Sequence, residues 1–270
     1  MTKQSSLLIF GAGYTARFLA QAAHQHGMTV TVTTREGAKH AVIQSWGAAP
    51  LPFGAPLPVG ITHVVVTNPP LADGTDPVLA AYKGQMNSLA WMGYLSSTGV
   101  YGDHQGATVT EDSPLRAAEP RSLARKMAEE AWQASGLPVE IFRLSGIYGP
   151  GRNMLERLKS GRTGALEQSD RPVNRIHVAD IVQTVFAAMA RAHPGAVYNL
   201  ADDDPAPTRA VMAYAAALLG VPVPTATNGA SHLVDGSRIV DNTHIKKHLN
   251  IRLNYPSYKE GLAALMEPVQ

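Results

Sequence analysis

Cysteine is missing from all 270 residues, which removes disulfides, thiol nucleophiles and cysteine-ligated metals, and suits a reducing compartment. A dominant charge is missing too. The 23 basic and 21 acidic side chains leave a formal +2, which argues against nucleic acid or a membrane surface as the main partner. Ahead of Gly11 there are only four strongly apolar residues, Leu7-Leu8-Ile9-Phe10, too few for a secretory core or a membrane span. A soluble, cytoplasmic protein is expected. There is no repeat, low-complexity tract or block of like charge, and the histidines lack metal-ligand spacing, so no metal site is expected. The length suits one large domain, or a main domain with a smaller lobe.

Strand and helix patterns alternate through the first half. Leu7–Phe10 is a short apolar run of the kind buried on both faces of a parallel sheet. A helix from Tyr14 to His26 follows, closed by Gly27. Thr29–Thr34 is β-branched throughout and reads as a strand. Further strands are expected at Ile61–Thr67, stopped by Asn68-Pro69-Pro70, at Ala90–Ser96 and at Val139–Leu144. Helices are expected at Asp76–Met86 and at Ser122–Ser135, the latter with Leu123, Met127, Ala131 and Trp132 along one side. Later come a short strand at Ile176–Val178, a helix N-capped by Asp180 and running to about Arg191, a strand at Val197–Leu200, and a helix at Thr208–Leu219 closed by Gly220. The expected fold is α/β: a Rossmann-type doubly wound parallel sheet with a small C-terminal substrate lobe. Residues 1–145 form the dinucleotide-binding core. Residues 146–270 are mixed, part core and part lobe.

Gly11-Ala12-Gly13-Tyr14-Thr15-Ala16 lies between the first strand and the first helix. In that position Gly11 permits a tight turn, Gly13 lets the backbone approach a pyrophosphate, and Ala16 permits close helix–strand packing, with the amides at Tyr14 and Thr15 facing the phosphates. An NAD site usually carries an acidic residue at the end of the second strand. Here Thr34 stands there, 23 residues after Gly11, and Arg35 follows. Thr34 does not repel a 2′-phosphate, and Arg35 offers it a charged fork, so NADP is favoured and NAD stays open. Alternatively, Arg35 is a solvated loop cation neutralised by Glu36. Asn68 is a candidate wall beside the cofactor, or part of a plain strand stop.

These residues resemble the extended short-chain dehydrogenase/reductase family, the NAD-dependent epimerases and dehydratases of nucleotide sugars. The similarity extends through Leu95-Ser96-Ser97-Thr98-Gly99-Val100-Tyr101-Gly102, Arg143–Arg152, Asn174–Ile181 and Tyr198–Pro205. The resemblance implies a serine that orients substrate, a tyrosine that moves a proton, and a lysine that lowers the tyrosine pKa and binds ribose. Ser97 takes the serine position and Lys126 the lysine position. The tyrosine position holds Ser122, four residues before Lys126. An aliphatic hydroxyl titrates far above a phenol and needs a strong base beside it, so serine cannot simply inherit the proton transfer.

Tyr101 and Tyr148 are the candidate substitute acids, and each also suits a cleft wall. Lys126 could instead pair with Glu129 or Glu130 on its own helix. His177 is expected to be a buried, hydrogen-bonded histidine. Two functions remain open. One is an NADP-dependent oxidoreductase or epimerase acting on a small carbonyl, alcohol or sugar-nucleotide-like molecule with altered acid–base chemistry. The other is an NADP(H)-binding redox sensor without turnover. The Ser122–Ser135 helix is a candidate homodimer surface.

Overall fold

The β-branched and apolar runs become strands and the 3.6-residue patterns become helices in a computed structural model describing residues 5–161, 171–224 and 237–266. Along the chain come β1 (Ser6–Phe10), α1 (Tyr14–Gln25), β2 (Thr29–Thr34), α2 (His40–Gln44), β3 (Ala49–Pro52), β4 (His63–Val66), α3 (Pro77–Tyr82), β5 (Trp91–Ser97) and β6 (Thr108–Val109). After these come α4 (Pro120–Gln133), β7 (Val139–Leu144), β8 (Gly146–Tyr148), α5 (Met154–Lys159), β9 (Arg175–His177), α6 (Val178–Ala190) and β10 (Val197–Leu200). The last elements are α7 (Thr208–Leu219), β11 (Ile239–Val240), α8 (Thr243–His248) and α9 (Tyr258–Ala264).

Among the described residues, seven strands form the main sheet in the order β10-β7-β5-β4-β1-β2-β3. β1 pairs in parallel with both β2 and β4, β2 with β3, and β4 with β5. The chain therefore winds outward from β1 to β3, returns to β4, and winds outward the other way. The reversal lies between β1 and β4, and in open α/β sheets ligands bind beyond the carboxyl ends of the strands at such a point. Leu7 and Ile9 are as fully buried as Leu8 and Phe10, which is why β1 reads as an unbroken apolar run. Leu8, Phe10, Val64, Val66 and Tyr94 pack with Tyr82 and Trp132 into one cluster.

The chain divides into two compact units. The first comprises Met1–Ser97, Pro120–Arg143 and Val182–Tyr198, and the second Thr98–Glu119, Leu144–Ile181 and Asn199–Gln270. Residues 98–119 thus join the second unit, while 182–198 return to the first. Tyr148, Leu155, Met212, Tyr258 and Leu262 form a separate core in the second unit.

Two local expectations are corrected. In α4 the buried face carries Ala124, Ala128, Glu129 and Trp132, whereas Leu123 and Met127 are 43% and 45% exposed. Asp180 lies in the first turn of α6 and does not cap it; its carboxylate accepts from the backbone amides of Asn254 at 2.6 Å and Tyr255 at 3.1 Å. Gly27 and Gly220 do follow their helices in left-handed conformation, with φ of 74° and 66°. Among the described residues no helix is long and apolar enough to cross a membrane.

Candidate functional site

The turn after β1 stands at the sheet's reversal point, and its small residues do different jobs. Gly11 has φ of 98°, and its amide donates to Thr33 Oγ1 at 3.1 Å. A Cβ there would lie 2.7 Å from both Asn68 Oδ1 and Thr67 Oγ1. Thr67 is fixed in turn, its hydroxyl donating to the Phe10 carbonyl at 2.8 Å. Gly11 is thus required by the fold. At Gly13 a Cβ would meet nothing within 4 Å, and the backbone, at φ −97° and ψ −169°, suits any residue. Gly13 is the N-cap of α1 with no side-chain capping bond, and no acidic residue occupies the first turn. An uncapped helix start with unoccupied space before it fits an anion. Thr15 and Ala16 are buried, so at these positions the backbone rather than the side chain is available to a ligand. The Tyr14 ring lies edge-on to Phe18 at 5.0 Å between centroids.

At the exit of β2, the buried Thr34 accepts the Glu36 amide on Oγ1 at 3.0 Å and so closes the turn. Glu36 pairs with Lys39 at 2.7 Å, and Arg35 is exposed with no ion-pair partner among the described residues. The alternative in which Glu36 neutralises Arg35 is therefore not the arrangement seen.

Asn68 follows β4 with a half-buried side chain. Its Oδ1 is buried and has no hydrogen-bond partner among the described residues, an orphan that a bound polar ligand could satisfy. Its backbone carbonyl accepts from Arg125 Nη1 at 3.2 Å. The same nitrogen donates to the Leu95 carbonyl at 3.1 Å and to the Tyr94 hydroxyl at 3.0 Å. Burial raises the Tyr94 pKa, so the hydroxyl stays neutral beside this cation. In the sequence Arg125 carries no signal beyond its adjacency to Lys126.

One turn along α4, Glu129 is 1% exposed and forms an ion pair with the equally buried Arg143 at 2.9 Å. Ser96 also donates to Glu129, at 2.5 Å. Glu129 is therefore engaged by β5 and β7, and Lys126 turns to Glu130. That contact is 3.9 Å long between half-exposed groups and contributes well under about 1 kcal/mol, so Lys126 can leave it for a ligand at little expense. Ser97 ends β5 and Ser122 lies in the first turn of α4; both are half-buried in this unit.

The two candidate substitute acids belong to the second unit, and both hydroxyls are engaged there. Tyr101 is fully buried and donates to Asn199 Oδ1 at 2.6 Å. Asn199 in turn donates to the Asp241 carbonyl at 3.1 Å, and its amide donates to Glu111 at 2.8 Å. These contacts form an internal brace around the Tyr101 hydroxyl. Tyr148 is 7% exposed and donates to the Ser257 carbonyl at 3.3 Å. Burial, reinforced by the carboxylates of Asp202, Asp180 and Glu260, raises its pKa, so it holds its proton far above neutrality. Tyr148 also packs edge-on to His177 at 5.1 Å between centroids. His177 accepts the Ala179 amide on Nδ1 at 3.2 Å, and burial lowers its pKa to about 4, so it stays neutral as expected of a core histidine. Asp202 was not anticipated. It is 3% exposed with no hydrogen-bond partner on either carboxyl oxygen among the described residues. Burial raises its pKa to about 8 against the opposing pull of Arg175.

Residues 72–201 match the model of the NAD dependent epimerase/dehydratase family. Protein YeeZ of Escherichia coli (strain K12) is 32% identical over 154 residues, covering 54% of this chain and 54% of that protein, so the match spans about half of the curated relative. A functionally unknown conserved protein from Silicibacter pomeroyi DSS is 42% identical in sequence, with a TM-score of 0.90 over 97% of this chain and 98% of that one. A dTDP-glucose 4,6-dehydratase from Bacillus anthracis str. Ames, solved in complex with NAD, shares the fold at 17% identity, with a TM-score of 0.81 over 96% of this chain and 94% of that one.

Proposed function

We propose that this chain, whose residues 72–201 match the model of the NAD dependent epimerase/dehydratase family, binds NADP(H) on its first unit and acts as an oxidoreductase or epimerase without the tyrosine that the family resemblance implies. The substrate class is a small carbonyl or alcohol, or a sugar-nucleotide-like molecule. The open space at Gly13 carries the reading. It lies before an uncapped helix N-terminus at the sheet's reversal point, with the orphaned Asn68 Oδ1 nearby in the same turn region. A bound nicotinamide dinucleotide supplies a hydride donor or acceptor. The chain's own residues hold it: the Gly11–Thr15 backbone at the phosphates, Asn68 alongside, and Lys126 for a ribose.

Arg35 supports the phosphorylated form, since Glu36 is engaged by Lys39 and no carboxylate side chain stands at Thr34. NADPH is expected to bind about tenfold more tightly than NADH, and Arg35→Ala to abolish that margin while leaving NADH affinity unchanged. Calorimetric titration checks both. Tighter NADH binding by the natural sequence overturns the Arg35 assignment.

A second reading is favoured by the engagement of Tyr101 and Tyr148: a module that binds NADP(H) and reports its redox state to a partner without turnover. The two readings part on a panel of carbonyl and alcohol substrates, where turnover of any natural-like substrate removes the second. Ser122→Tyr restores a phenol four residues before Lys126. It is expected to raise carbonyl reduction at least about 100-fold over the background of the natural chain, the usual scale of a positioned general acid. No gain, in a variant that still binds cofactor, means that more than the proton carrier has been lost.

A further inference from the structure

Arg125 spends one guanidinium nitrogen on three acceptors: the Asn68 carbonyl just past β4, the Leu95 carbonyl within β5, and the Tyr94 hydroxyl. Its guanidinium carbon also lies 5.6 Å from the centre of the Tyr94 ring. The chain needs an outside donor at this point. Asn68 is followed by Pro69 and Pro70, neither of which has an N–H. Beyond Thr67, whose amide still reaches the Phe10 carbonyl at 2.9 Å, the two prolines can add no donor to the ladder. The exit of β4 is consequently held through its carbonyl, from α4. What that exit carries is the Asn68 side chain, whose Oδ1 would lie 2.7 Å from a Cβ on Gly11.

We propose that Arg125 is a positioning residue for the dinucleotide site, fixing the exit of β4 so that the Asn68 amide is presented beside the Gly11–Gly13 turn. It touches no cofactor and acts through Asn68. Lysine cannot replace it fully, because a single ammonium on a thinner stem lacks the planar fork and ring-stacking surface of a guanidinium. The inference rests on the dinucleotide-binding reading above.

The test is a double-mutant cycle read by calorimetric titration with NADPH and with NADH, using the full chain, Arg125→Met, Asn68→Ala and the two combined. Arg125→Met is expected to weaken both dinucleotides about tenfold and by similar factors, since Asn68 stands at the exit of β4 and Arg35 at the exit of β2, on opposite sides of β1. The combined variant is expected to bind no worse than the weaker single variant, within about threefold. Arg125→Lys is expected to recover part of the lost affinity, and it carries the same cycle with Asn68→Ala if Arg125→Met does not fold. Circular dichroism at the titration temperature establishes that each variant is folded. Unchanged affinity in a folded Arg125 variant, or losses that multiply in full in the combined variant, overturns the proposal, because a merely structural arginine lowers thermal stability without coupling to Asn68 in affinity. Absence of binding by the natural chain overturns the dinucleotide reading itself and takes this inference with it.

Discussion

A Gly13→Val chain is expected to fold as the natural chain does and to lose dinucleotide affinity by at least about 100-fold, near 3 kcal/mol. The extended backbone at Gly13 accepts a β-branched residue, and a Cβ there meets nothing within 4 Å, so the fold loses little. The isopropyl group instead fills the space before the helix amides, where phosphates would approach. Gly11→Ala is the informative control. Its φ of 98° and the 2.7 Å approach to Asn68 and Thr67 put the cost on folding, so it is expected to lower the melting temperature first. Thermal denaturation alongside titration separates the two. If Gly13→Val retains affinity, the phosphates do not lie at this turn.

Removing the Glu129 carboxylate carries the largest expected cost in stability. Glu129→Ala is expected to destabilise the chain by about 3–5 kcal/mol, because it withdraws a counter-charge from an arginine that is 4% exposed and the acceptor from Ser96. For a chain of this size that corresponds to roughly 10 °C in melting temperature. Glu129→Met combined with Arg143→Met is expected to recover most of the loss, since apolar residues of similar volume avoid burying an isolated charge. Urea denaturation of the single and double variants measures it. A single-variant loss below about 1 kcal/mol would mean that water reaches Arg143 and relieves it.

The same carboxylate explains where the sequence misleads. Judged by size and hydrophobicity, Leu123 and Met127 should define the inner face of α4, with Trp132. Helix phase is set instead by Glu129, which must reach Arg143 and Ser96, so Ala124 and Ala128 turn inward and Leu123 and Met127 outward. A charged residue on a buried face is invisible to a pattern that assigns charge to solvent. β2 and β7 were legible to the residue, because continuous β-branched or apolar runs leave a covered strand no alternative. The edge strand β3 was not, since its two prolines read as loop, and only an edge position tolerates them. The glycine turn was legible as a motif. The different duties of Gly11 and Gly13 were not, because they depend on Thr33, Thr67 and Asn68, which are distant in sequence. Asp180 misleads for a similar reason. Its position suggested a local cap, and its partners lie more than 70 residues away.

The interleaving of the two units has a consequence for how the protein is made. The chain crosses between them at 97/98, 119/120, 143/144, 181/182 and 198/199, five times in all. The first unit is incomplete until residue 198 of 270 has left the ribosome. Until then β7, buried along its whole length in the finished protein, has no β10 beside it and presents an apolar edge of the kind that pairs with other chains. Synthesis from Leu144 to Leu200 is therefore the interval in which the nascent chain most needs protection, and a fragment ending there keeps that edge permanently open.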